Sequence, residues 1–132
     1  MFSDITHTWA DSRGECELYG GWLVQINNLK EFNCLMRYGQ KEGLDHDYWT
    51  DGNDVENTGV WTHAYDDSEV TFFGRRMGCS CIIEYQDSPV FVPCPNGGDA
   101  FRLSIGGDKH MRGNYCDKDS TVPYHFICEN IF

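Results

Sequence analysis

The chain has 132 residues, the length of one domain that can bury a substantial hydrophobic core. Its net charge of −11 argues against nucleic acid and an anionic membrane surface as partners, because both need Lys and Arg to neutralise phosphates. No apolar stretch approaches the ~18 residues that membrane insertion requires. We therefore predict a single domain over residues 1–132. Its acidic surface suits a cationic partner or Ca²⁺, although solubility alone would also explain the charge.

The cysteines indicate an oxidising compartment. The chain contains seven of them: Cys16, Cys34, Cys79, Cys81, Cys94, Cys116 and Cys128. Cytosolic proteins keep their thiols reduced, so this density predicts structural disulfides and a secreted, extracellular protein. No apolar signal segment opens the chain, and we expect either a processed secreted protein or a fragment. The odd count leaves one thiol free or paired between chains, and such pairing would link two chains. The predicted assembly is accordingly a monomer or a homodimer, the latter either disulfide-linked or non-covalent.

The first predicted element is a helix over "THTWADSRGECELYGG". Thr6 or Thr8 can cap it by accepting hydrogen bonds from free backbone N–H groups. Gly20 and Gly21 can adopt the left-handed conformation that ends a helix. Three apolar residues, Trp9, Cys16 and Tyr19, fall on one face at helical spacing. We expect this face to pack on the core.

A short strand and a second helix follow. The apolar run "WLVQI" predicts a strand from Trp22 to Ile26. "NNLKEFNCLMRYG" predicts a helix that Asn27 or Asn28 caps and Gly39 ends. Its broad apolar side would consist of Leu29, Phe32, Cys34, Met36 and Tyr38.

Short strands dominate the rest of the chain. "DYWTDG" and "TGVWTHAY" predict two strands joined by the polar turn "NDVEN". Residues 64–98 lack clear periodicity and contain three cysteines, which is typical of a functional or disulfide-held loop. "AFRLSIGG" and "YHFICENIF" predict two further strands. Helices first and strands afterwards make the fold class α+β.

The order of these features resembles the C-type lectin-like domain in its short form. The first helix and strand, the central "DYWTDGNDVENTGVWT" and the C-terminal "FRLSIGG…C…FICE" match the family along nearly the whole chain. The resemblance implies two helices flanking short antiparallel sheets, with a long irregular loop held by disulfides. It also implies an extracellular recognition module rather than an enzyme.

The resemblance implies which cysteines pair. Cys16 should bond Cys128, tying the first helix to the last strand. The family's second disulfide reaches Cys116 from a position that Ala100 occupies here. Cys116 therefore needs another partner, and the candidates are Cys94, which we favour, Cys81 and Cys79.

The family's calcium-dependent sugar motifs are altered in this chain. Sugar-binding members carry Glu-Pro-Asn or Gln-Pro-Asp in the long loop, but residues 94–96 read Cys-Pro-Asn here. They also carry Trp-Asn-Asp before the penultimate cysteine, where residues 111–113 read Met-Arg-Gly. Ca²⁺ needs six to eight oxygen ligands, and Asn96 and Asp99 can supply only part of that set. We therefore expect the standard sugar site to be lost.

A structural Ca²⁺ is a separate expectation. Some family members hold this ion between the second helix and the last strand. The resemblance carries its ligands onto Gln25, Asn27, Glu31 and Glu129, all of which offer oxygen. The alternative is that Asn27 only caps the helix and Glu31 is a solvated helix residue. No organic cofactor is expected.

The predicted function is recognition of an extracellular ligand, foremost a glycan at a non-standard site. The candidate ligand-binding residues are Asn96, Asp99, Arg75, Arg76 and Arg112, and the acidic Asp66, Asp67 and Glu69 could take part. The aromatics of the long loop could form a small core beneath it, or could stack on a sugar ring or anchor a protein partner; they are Tyr65, Phe72, Phe73, Tyr85 and Phe91. The alternative is a calcium-independent protein-binding or structural module. Catalysis is not expected, because the five histidines show no nucleophile or metal spacing.

Overall fold

The computed structural model describes residues 1–72, 82–85, 88–91, 98–105 and 115–130. Two helices precede most of the strands, so the predicted α+β class is confirmed. The helices are α1 (Trp9–Leu18) and α2 (Leu29–Lys41). The strands are β1 (Trp22–Leu23), β2 (Asp47–Asn53), β3 (Thr62–His63), β4 (Ile82–Tyr85), β5 (Ser88–Phe91), β6 (Ala100–Ser104), β7 (Tyr115–Lys118), β8 (His125–Phe126) and β9 (Cys128–Glu129). No helix in these ranges is long and apolar enough to cross a membrane.

Helix α1 begins where its predicted cap stands. The Thr8 hydroxyl accepts a hydrogen bond from the Asp11 N–H at 3.3 Å. Trp9 and Cys16 are buried, as expected of one core-facing side. The third member of that predicted face, Tyr19, is 53% exposed, because it follows the last helical turn.

Helix α2 begins with a reciprocal cap at Asn28 and Glu31. The Asn28 side-chain oxygen accepts from the Glu31 N–H at 2.9 Å, and the Glu31 carboxylate accepts from the Asn27 N–H at 3.0 Å. The predicted end at Gly39 is wrong, since the helix continues to Lys41. A Cβ on Gly39 would lie 2.6 Å from a methyl carbon of Ile105, so this glycine permits close packing instead.

The predicted apolar side of α2 is only partly buried. Phe32 and Met36 lie in the core. Leu29, Cys34 and Tyr38 are exposed, because they sit on the helix flanks that turn away from the sheet. The exposed Cys34 is the free thiol within the described ranges.

Strand β2 is the centre of the main sheet. It pairs antiparallel with β6 and β3 and parallel with β8, and β7 joins the other side of β6. Tyr48 and Trp49 of β2 are fully buried, one in each of the two apolar clusters that form the core. Strands β4 and β5 form a separate hairpin. Neither that hairpin nor β7 was predicted from the sequence.

The two ends of the chain are joined covalently and by pairing. Cys16 of α1 is bonded to Cys128 of β9, which confirms the predicted disulfide. Strand β1 pairs with β9, so Leu23 lies opposite Cys128. Cys116 is also disulfide-bonded and fully buried. Its favoured partner Cys94 lies outside the described residues, and that pairing stays a prediction.

Candidate functional site

A groove of about 650 Å³ is lined by α1 and by residues 53–67, the segment that joins β2 to β3 and the turn after β3. Its lining is predominantly polar. The side chains that could meet a ligand are Arg13, Asp54, Glu56, Asn57, Tyr65 and Asp67. This groove is larger than a second one of about 240 Å³ beside His46 and His125.

Two polar residues fix the loop between β2 and β3. The buried Asn53 amide donates to the carbonyls of Asp51 at 3.1 Å and Thr62 at 3.3 Å. The Asp54 carboxylate accepts from the Gly59 N–H at 2.8 Å and closes the loop on itself. Gly59 has a φ of +88°, a conformation that suits glycine. One wall of the groove is therefore held in place before any ligand arrives.

An aromatic pair with one exposed ring lies at the edge of the groove. Tyr65 stacks on Trp22 with ring centroids 3.9 Å apart and planes 15° from parallel. Tyr65 remains 56% exposed. Its backbone N–H donates to the buried Asp51 carboxylate at 2.9 Å, which fixes the turn that carries the ring. A flat apolar surface of this kind can receive the C–H face of a sugar ring.

Asp51 is a buried carboxyl beneath this turn. One of its oxygens accepts from Tyr65 and from the Gln25 amide at 3.3 Å, while the other has no hydrogen-bond partner in the described part of the chain. Burial raises the pKa of Asp51 to about 6, against the opposing effect of those hydrogen bonds. Its ionised form therefore costs stability near neutral pH.

Two neighbours of Asp51, His63 and Asp66, have lowered rather than raised pKa values. Burial lowers the pKa of His63, and within the described ranges its two ring nitrogens have no partner, so the ring is neutral at pH 7. Hydrogen bonds from Ser68 lower the pKa of the exposed Asp66, so this carboxylate stays charged. The turn after β3 therefore presents the negative charge of Asp66 to solvent, while the His63 imidazole beneath it is neutral.

The four predicted calcium ligands are brought together as two pairs. The Gln25 N–H, two residues past β1, donates to the Glu129 carboxylate at 2.8 Å, and the Asn27 N–H donates to the Glu31 carboxylate at 3.0 Å. Their oxygens have the chemistry that Ca²⁺ prefers, but both carboxylates already accept backbone hydrogen bonds. In the described ranges no three His, Cys, Asp or Glu side chains form a cluster that could hold a metal. The structural Ca²⁺ stays a prediction.

Calcium binding has a direct thermal test. If Gln25, Asn27, Glu31 and Glu129 hold Ca²⁺, the ion at about 100-fold above its Kd stabilises the fold by about 2.7 kcal/mol and raises the midpoint of unfolding by several degrees. Glu129→Gln should remove that rise, because it deletes the charge yet keeps an acceptor for the Gln25 N–H. Identical midpoints with Ca²⁺ and with chelator would show that these residues are structural only.

Of the five foremost candidates for ligand binding, Asn96, Asp99, Arg75, Arg76 and Arg112, only Asp99 is described. Its two carboxylate oxygens accept from the Ser120 N–H at 2.7 Å and the Ser120 hydroxyl at 2.9 Å, so they hold the turn after β7. Asn96, Arg75, Arg76 and Arg112 lie outside the described residues.

Two residues that the sequence singled out, Tyr65 and Asp67, line the groove. Their part in ligand binding stays a prediction. Asp54 and Glu56 were assigned only to a polar turn. In the sequence, these two residues belong to an acidic turn between two strands that contain aromatic residues. That local pattern does not indicate that α1 lies against the turn. Arg13 was not singled out for the same reason.

Comparisons with known proteins agree with the architecture. No family model matches the chain. A perlucin-like protein of Mytilus galloprovincialis is 28% identical over 79 residues, which are 59% of this chain and 51% of that protein. The chain thus matches about half the length of this curated relative.

Solved structures align over almost the whole chain. The carbohydrate-recognition domain of the mouse scavenger receptor C-type lectin gives a TM-score of 0.69 at 22% identity, covering 96% of this chain and 83% of that one. The C-type lectin CEL-I from Cucumaria echinata gives 0.70 at 18% identity, covering 96% and 85%. A Ca²⁺-dependent type II antifreeze protein in its Ca²⁺-free form gives 0.67 at 18% identity, covering 97% and 87%.

These identities are too low to carry a function, but the agreement in architecture is extensive. Two helices, a sheet built around β2 and a disulfide from α1 to β9 are all present in their expected order. The chain has the C-type lectin-like fold that its sequence resembled.

Proposed function

We propose that this chain is a secreted recognition module that binds a glycan in the groove between α1 and residues 53–67. The observation that carries the proposal is a polar groove with an exposed aromatic ring at its edge. Its volume of about 650 Å³ lies within the ~300–1,000 Å³ typical of small-ligand sites. The fold supports the proposal, since one similar structure is a carbohydrate-recognition domain.

The lining matches what a sugar presents. Tyr65 offers a ring face to the apolar C–H side of a pyranose. Asn57 and Asp67 are exposed and can hydrogen-bond hydroxyl groups, the amide as donor and acceptor and the carboxylate as acceptor. The guanidinium of Arg13 adds donors from α1. Protein side chains alone therefore supply the contacts, and we expect binding that survives a calcium chelator.

Protein recognition is the second candidate. Val55 and Val60 are 46% and 53% exposed beside the groove and could anchor an apolar side chain of a protein partner. The two candidates separate in one comparison. A glycan ligand would bind as a free oligosaccharide, whereas a protein ligand would retain its affinity after its glycans are removed.

Replacing Tyr65 with alanine tests the proposed site. We expect Tyr65→Ala to weaken glycan binding about tenfold or more, because an aromatic anchor at a binding site contributes more than its neighbours. Binding would be measured by isothermal calorimetry against the strongest oligosaccharide from a glycan array run with and without chelator. The variant keeps the backbone N–H that donates to Asp51.

The matched control is Tyr38→Ala. Tyr38 on α2 is 50% exposed, close to the 56% of Tyr65, and its ring packs at a tilt against Phe2 outside the groove. It should leave the affinity unchanged. Equal losses in both variants, or no loss in Tyr65→Ala, would place the binding elsewhere on the chain.

A further inference from the structure

We propose that the groove prefers a glycan bearing a free, protonated amine over the same glycan in neutral form, and rejects sulfated or carboxylated forms. This inference rests on the proposed function and specifies the ligand's charge. It follows from which charged groups line the groove and from what already neutralises them.

The lining of the groove carries more negative than positive side chains. Asp54, Glu56 and Asp67 contribute carboxylates, and Arg13 contributes the single cation of the lining. Arg13 is already engaged, because its Nε lies 3.3 Å from the Glu17 carboxylate and its Nη2 donates to a backbone carbonyl at 3.5 Å. An anionic ligand would therefore meet excess negative charge, because the guanidinium of Arg13 is the one cation among the described lining residues and is partly neutralised.

Two of the carboxylates are available to a ligand. Glu56 and Asp67 are exposed, and in the described ranges neither accepts a hydrogen bond or forms an ion pair. Asp54 has a structural role instead, since it holds Gly59. Glu56 and Asp67 are thus the positions at which an ammonium group could gain a charge-assisted hydrogen bond without displacing an existing contact.

Two further acidic residues, Asp99 and Asp117, add negative charge next to Asp54. Its backbone N–H donates to the carbonyl of Asp99 at 3.0 Å, which brings that acidic residue next to it. Burial raises the pKa of Asp54, and the charges of Asp99 and Asp117 raise it further. A cation bound in the groove would relieve this repulsion, whereas a sulfate would add to it.

The experiment compares three forms of one oligosaccharide. The probes are a β-linked glucosamine oligomer, its fully N-acetylated counterpart and an N-sulfated counterpart of the same length. All measurements are made at a pH below the pKa of the sugar amine, so that the amine is protonated. Calorimetry at low and high salt would measure each affinity. We expect the amine form to bind about two- to fivefold tighter per engaged carboxylate, the sulfated form to bind weakest, and the preference to shrink with salt.

Charge-neutral variants assign that preference to the groove. Glu56→Gln combined with Asp67→Asn should equalise the amine and N-acetyl forms, and asparagine tolerates the φ of 58° at position 67. The control Glu42→Gln removes one exposed charge outside the groove and should leave the preference intact.

The possible results are distinct. If the N-acetylated form binds as tightly as the amine form in the unaltered protein, and Tyr65→Ala still weakens it, the charge preference is wrong but the glycan site stands. If the preference persists in the double variant, the selecting charges lie elsewhere and the inference fails. If a lysine tripeptide binds the groove tighter than every sugar form, the ligand is a basic peptide and both proposals fail.

Discussion

Replacing both Cys16 and Cys128 with alanine should lower the free energy of unfolding by about 4–5 kcal/mol. The bond joins residues 112 positions apart in the sequence. A disulfide that closes a loop of about 100 residues stabilises the fold by ~4.7 kcal/mol, because it lowers the conformational entropy of the unfolded chain. Domains of this size have only about 5–15 kcal/mol in total, so much of the stability would go. Denaturant titration followed by tryptophan fluorescence would measure the change.

Cys34→Ser is the matched control for this experiment. It also removes a thiol, but Cys34 is exposed and unbonded, so stability should stay within about 0.5 kcal/mol of the parent. A loss below about 1 kcal/mol in the double alanine variant would contradict the expectation. It would mean that the β1–β9 pairing alone constrains the two ends.

Replacing Asp51 with asparagine should stabilise the protein at pH 7 by about 3 kcal/mol. The pKa of Asp51 is raised from 3.8 to about 6, and each pH unit of difference corresponds to about 1.4 kcal/mol. The protonated form is the stable one in the fold. Its contribution is fully present below pH 3.8 and is lost as the pH rises through 6. The difference between variant and parent should therefore grow over that interval and then level off.

The measurement is the free energy of unfolding of both proteins at a series of pH values, with chelator present throughout. The Tyr65 N–H and the Gln25 amide donate to the same Asp51 oxygen, and the oxygen of the introduced amide can accept both bonds. Asp45→Asn, at an exposed position, serves as the control for simple loss of charge. A parallel pH profile for Asp51→Asn and the parent would show that Asp51 is ionised without cost.

The helices were predictable because their signals are local. Thr8 and Asn28 cap α1 and α2, and each was one of two residues proposed from sequence. Capping depends on one side chain reaching a backbone group three residues away, which a sequence displays directly. The end of α2 was misplaced because Gly39 was assigned a conformational role. Its actual role, contact with Ile105, joins positions far apart in the chain and leaves no local trace.

The strands were predicted less well for a related reason. Strand β2 carries a clear aromatic signal, and its position was correct. Strand β7 contains Tyr115, Cys116 and Asp117, all buried, so it shows none of the alternation that identifies a half-exposed strand. The groove was hidden for a further reason. It depends on α1 facing the loop after β2, and that relation exists only once the fold has formed.

The covalent and strand pairing of the two ends also constrains how the chain can fold during synthesis. Cys16 leaves the ribosome long before Cys128, and Cys34 is the first thiol it can meet. Strand β1 likewise waits for β9, so neither the bridge nor this ladder can form on a partial chain. The bridge therefore forms only after Cys128 has been synthesised, and a thiol-exchange catalyst should speed its formation by undoing early pairing between Cys16 and Cys34.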